Sequence, residues 1–130
     1  TQEIIKKKEL PYGVIELRSD NILAFRPCVN CFKEYNLEIL KELHQEFVAI
    51  TDGKPKPYMA DNSYITGIVN KEEQAYIHEN FSDFATHSAI ITHSPIMKVL
   101  INTYNRIFNP KVEIRLFSSE EQAVNWLQNE

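Results

Sequence analysis

Apolar positions change their period repeatedly along this chain, from every second residue to every third or fourth, with a short polar junction at each change. The last such unit is the clearest: Val112, Ile114 and Leu116 alternate with Glu113 and Arg115, Ser118 and Ser119 follow, and an amphipathic helix begins at about Glu120. Reading back from there, the fourth strand is placed at Ser88 to Thr92, a nearly continuous apolar run suited to a sheet covered on both sides. His93-Ser94-Pro95 leads from it into a helix whose inner stripe is Met97, Leu100, Ile101, Tyr104 and Phe108, stopped by Asn109-Pro110. The third strand is placed at Pro57 to Ala60 and ends in Asp61-Asn62-Ser63. Asn70 and Glu73 have the spacing of a capped helix start, with Ile77, Phe81, Phe84 and Ala85 as that helix's buried face.

The first half opens differently. Tyr12 to Arg18 and Ile22 to Arg26 read as a hairpin closed by Ser19-Asp20-Asn21, because Asp and Asn tolerate left-handed backbone and bond their own main chain. From Asn36 to Ile50, Leu37, Leu40, Leu43, Phe47 and Ile50 mark one face of a helix ended by Asp52-Gly53. Residues 1–11 are polar and are expected to form an arm that is at most partly ordered, with 12–130 as one domain. The expected fold is α/β: a single-layer mixed sheet of about five strands, an antiparallel hairpin followed by β-α repeats.

Composition narrows the partners. A chain of 130 residues with 43% hydrophobic content suits one core rather than two. The net charge of -4 offers no general attraction to a polyanion, and the run Lys6-Lys7-Lys8 is diluted by Glu3 and Glu9, so nucleic acid is not expected. No apolar stretch approaches the roughly 20 residues that cross a bilayer, and no secretion signal opens the chain; a cytoplasmic location is expected. Cys28 and Cys31 alone make no disulfide framework, which agrees with a reducing compartment.

Candidate chemistry gathers where the strands end. In open α/β sheets the carboxyl ends of parallel strands share one rim, so Asp61, Asn62, Ser63, His93, Ser94, Ser118 and Ser119 are the candidate edge for a ligand or partner, with Cys28 near it. An anionic group suits helix N-termini there, although the serines equally suit plain helix capping. Cys28-Val29-Asn30-Cys31 has redox spacing, but the helix near Asn36 begins too late for its dipole to stabilise a thiolate on Cys28. No metal site is expected, since His87 and His93 sit at opposite ends of one strand. Ser63 or Ser94 with His93 lacks a nucleophile elbow, and glycines at positions 13, 53 and 67 make no phosphate loop, so no enzymatic motif and no cofactor are expected. Tyr64, Ile65, Ile68 and Val69, uncharged after a polar junction, form a candidate partner or dimer patch.

The segments YGVIELRSDNILAF, KPYMADNS and EIRLFSSEEQAVNWL resemble the corresponding pieces of the SpoIIAA-like superfamily, which includes STAS domains and small bacterial STAS-like proteins. The resemblance spans about residues 12 to 128 and implies a non-enzymatic regulatory module acting through protein contacts. In anti-anti-sigma members a serine directly after the Asp that ends the third strand is phosphorylated. Here Asn62 follows Asp61, and the hydroxyl comes one residue later at Ser63, the candidate phospho-acceptor. The related CRAL-TRIO domains enclose apolar molecules, so a lipid-like ligand, or the anionic one that suits the strand-end rim, is the alternative. Phe81, Phe84, Met97, Tyr104 and Phe108 are the candidate lining.

Overall fold

The computed structural model describes residues 3–28, 35–65, 69–108 and 111–129, with the side chain of Phe108 outside that set. Its sheet has six strands in the order of the sequence: β1 (Ile4–Leu10), β2 (Gly13–Arg18), β3 (Leu23–Pro27), β4 (Lys56–Asp61), β5 (Ala85–Ile91) and β6 (Glu113–Phe117). β1, β2 and β3 pair antiparallel, and β3 to β6 pair parallel. The sheet is mixed, with the antiparallel start and β-α repeats that the sequence pattern predicts. It has six strands rather than about five because the expected arm holds β1. Residues 4 to 9 of β1 are exposed, so no apolar alternation marks it, and its lysines blunt an open sheet edge.

Four helices complete the fold: α1 (Leu37–Ile50), α2 (Lys71–Asn80), α3 (Pro95–Phe108) and α4 (Glu120–Asn129). Strands in consecutive order joined by right-handed crossovers put α1, α2 and α3 on one face. That face holds the larger core, in which Ile15, Leu17, Leu23, Phe25, Tyr58, Ala60, Ile90 and Ile114 meet Leu43, Phe47, Phe81, Phe84 and Tyr104. On the other face α4 lies alone, with Ala123 and Leu127 against Ile22, Ala24, Met59, Ala89 and Ile91. Where α4 runs out, a charged cluster covers the hairpin. Arg26 bonds Glu120 at 2.7 Å and Glu16 at 2.9 Å, and Arg18 bonds Asp20 at 2.9 Å.

Local chemistry explains the boundaries. Asn21 takes a φ of 73° in the hairpin turn, and Asp20 accepts the Ile22 N–H, as the Ser-Asp-Asn sequence leads one to expect. Gly13 begins β2 where a Cβ would stand 2.6 Å from the Arg26 carbonyl oxygen and 2.8 Å from the Phe25 ring, so only glycine fits. α2 has the full capping box, with Asn70 accepting from the Glu73 N–H and Glu73 from the Asn70 N–H. One boundary differs from the pattern. Ile77, Phe81, Phe84 and Ala85 do not share a helix: α2 stops at Asn80, Phe81–Asp83 form a 3-10 turn, and Ala85 already belongs to β5. The three-residue step from Phe81 to Phe84 is 3-10 spacing, and it keeps both rings on the core side.

Candidate functional site

The parallel registers Asp61 with Ile91 and Ile91 with Phe117 set the ends of β4, β5 and β6 side by side. Most polar groups there are already engaged. The Ser63 hydroxyl donates to Asp61 Oδ1 at 2.6 Å, and the Ser63 N–H donates to the same oxygen at 3.1 Å, an Asx-type turn. Ser94 accepts from the Met97 N–H and caps α3, Ser119 accepts from the Gln122 N–H and caps α4, and Ser118 donates to Gln122. His93 is exposed. Arg26, level with Asp61 across the sheet, is paired with carboxylates, and the Glu120 bond chiefly holds it charged, its pKa raised further by Glu16 despite its burial. With Glu120 and Glu121 in the first turn of α4, that terminus repels an anion rather than attracting one.

An apolar space lies just inside this rim, under the helices. A cavity of about 160 Å³ sits between α1, α2, α3 and the sheet. The strands contribute Tyr58, Ala60 and Asn62, which the alternation of β4 puts on one face, together with Ile90 and Ile114. Leu43 and Phe47 come from α1, Ile77 from α2, Phe81 and Phe84 from the turn after it, and Met97 and Ile101 from α3. The void has a structural origin. Ala60 is a small residue in mid-sheet, and α2 is short, with Glu73 its one buried residue, so neither fills the space above the strand.

Four aromatic rings make a continuous wall. Phe47 and Phe84 lie 4.6 Å apart between centroids, and Tyr58 meets Phe47, Phe81 and Phe84 edge-on at 5.2, 5.6 and 5.6 Å. Polar groups are few. Tyr35 donates to Asn62 Oδ1 at 2.8 Å at the strand end of the cavity, and His44 bonds Asp83 at 2.9 Å. Burial raises the pKa of Tyr35, against which the Asn62 bond works; burial and then the nearby Tyr35 raise that of Tyr58 well above its usual value. Among the described residues no serine hydroxyl is bonded to a histidine, and no group of acidic, histidine and cysteine side chains is arranged to hold a metal.

Of the residues singled out in the sequence, Phe81, Phe84, Met97 and Asn62 line this cavity, and Tyr104 lines a smaller recess beside it between α2 and α3. Asp61 and Ser63 close a turn, and His93, Ser94, Ser118 and Ser119 lie on the rim outside. Of the candidate patch, Tyr64 is 63% exposed, Ile65 is 5% exposed, Val69 lines the cavity, and Ile68 lies outside the described residues. Cys28 is disulfide-bonded, a departure from the free thiols of a reducing compartment; Cys31 lies outside the described residues. Tyr58, Ala60, Phe47 and Tyr35 were not singled out. The available signal was Tyr58, Ala60 and Asn62 at steps of two, with the smallest side chain in the middle.

A family model described as Domain of unknown function (DUF7793) matches residues 15–130. Among curated proteins none matches the chain. The crystal structure of an uncharacterized protein of the DUF3478 family from Shewanella loihica PV-4, with a SpoIIAA-like fold, aligns over 97% of this chain and 93% of its own at 15% identity, with a TM-score of 0.59. That likeness shows the fold to be SpoIIAA-like.

Proposed function

The chain belongs to the DUF7793 family, a domain of unknown function, and because that membership carries no activity with it, we propose from the cavity that the protein is a small-molecule binding module. The observation that carries this reading is the apolar wall around about 160 Å³ of space in a chain this small. Apolar wall left uncovered in such a recess costs stability relative to wall covered by an occupant. An occupant offsets that cost, and its binding raises stability by mass action, about 2.7 kcal/mol at a hundredfold excess over the dissociation constant.

Thermal melts with a panel of small apolar compounds test the reading. A rise in Tm is expected for the wild type. It disappears in Ala60→Leu, whose side chain grows from the sheet into the cavity, while that variant's own Tm holds or rises. Ile101→Phe fills the same space from α3 and serves where Ala60→Leu fails to fold. A wild type indifferent to every compound, or shifts that survive both variants, contradict the reading. A second reading, a regulatory module working through protein contacts, draws support from α3, where Ile96, Val99 and Ile107 are 53%, 64% and 66% exposed.

A further inference from the structure

Tyr58 is 6% exposed, it lines the cavity, and its hydroxyl has no hydrogen-bond partner among the described residues. A phenol hydroxyl that lines a recess without a protein partner is free to bond whatever occupies it. Asn62 repeats the arrangement at the strand end of the same wall. Its Oδ1 is taken by Tyr35, and its amide N–H groups have no acceptor among the described residues. Both groups are able to donate, so an accepting oxygen on a guest suits both of them.

Charge fixes a further property. Among the described residues the lining has no lysine or arginine, and His44 there is occupied by Asp83 at 2.9 Å. A carboxylate or phosphate entering this space would lose its hydration without gaining a counter-charge. Size and shape fix the rest. A cavity of about 150 Å³ holds a benzene-sized molecule, and the rings of Phe47, Tyr58, Phe81 and Phe84 present both faces and edges to a flat guest.

Resting on the cavity-binding reading, we propose that the ligand is a neutral, single-ring aromatic molecule carrying one hydroxyl or carbonyl oxygen, with that oxygen accepting from the Tyr58 hydroxyl. The lipid-like ligand that the resemblance suggests and the anionic one that the strand-end rim suggests are narrowed by this to a compact guest, and an anion finds no cationic side chain among the described lining residues.

Calorimetric titration of the full chain with p-cresol, toluene and benzoate is the test. In the wild type p-cresol is expected to bind about tenfold more tightly than toluene, the ratio that one hydrogen bond of ordinary strength supplies, and benzoate to bind more weakly than either. In Tyr58→Phe the p-cresol to toluene ratio falls to about one while toluene affinity is retained, a pattern that a merely structural role for Tyr58 does not produce. Equal affinities in the wild type, a preference that survives Tyr58→Phe, or benzoate as the tightest binder overturns the ligand class and leaves the cavity-binding reading intact. Binding of none of the three overturns the ligand class, and the cavity-binding reading falls with it only when the wider panel of apolar compounds is also without effect. Should Tyr58→Phe fail to fold, the wild-type comparison decides by itself.

Discussion

Tyr35 and Tyr58 share a constraint that is measurable without any ligand. Both phenols have pKa values raised by burial, so the folded state favours their protonated forms. Because the folded values lie above the unfolded value near 10, this contribution to stability is complete below about pH 10 and is lost as pH rises toward the folded values. In an alkaline titration followed by phenolate absorbance and circular dichroism, Tyr58 is expected to ionise only as the structure unfolds. Tyr58→Phe removes one late-ionising phenol and moves the unfolding midpoint to higher pH. Ionisation of Tyr58 near pH 10 with the fold intact would contradict its burial. Residue by residue, the sequence pattern identified the face on which Tyr58 lies but not its missing partner. Periodicity reports which side of a strand is buried, whereas hydrogen bonding to groups as distant as Tyr35 and Asn62 depends on the completed fold.

Among the elements, α2 is the one on which the cavity depends most. It has few apolar side chains, and its start is fixed by the reciprocal bonds of Asn70 and Glu73 rather than by deep packing. Asn70→Ala is expected to lower stability by about 1 kcal/mol in urea unfolding and to reduce protection of α2 amides in hydrogen exchange ahead of the sheet. Uniform loss of protection across α1 and β4 would show instead that α2 is not an independent unit. Helix starts were legible from sequence at Asn36, Asn70, Ser94 and Ser119 because a cap is a local device, and each of these side chains accepts a backbone N–H three residues on. β1 was not legible, since a strand exposed along most of its length has no alternation to read. The early start of β5 at Ala85 was hidden by a 3-10 turn whose spacing continues that of the preceding helix.

At the scale of the molecule, strand order decides where function can lie. Sequential parallel strands send α1, α2 and α3 to one side, and the space left among them becomes the cavity; α4 closes the other side against a smaller core and the Arg26 and Glu120 pair. The strand ends do share one rim, but Ser94 and Ser119 there cap helices and Arg26 is paired, so the candidate site moves inward by one layer, beneath Asn62. The exposed stripe of α3 and the lined cavity are on opposite faces of the same helix, which makes the two functional readings separable by position. Methyl-labelled NMR spectra recorded during addition of p-cresol test the central claim most directly. Shifts are expected at Ile77, Met97 and Ile101, with Ile96, Val99 and Ile107 unmoved; the reverse pattern, or no shift at any cavity methyl, would contradict it.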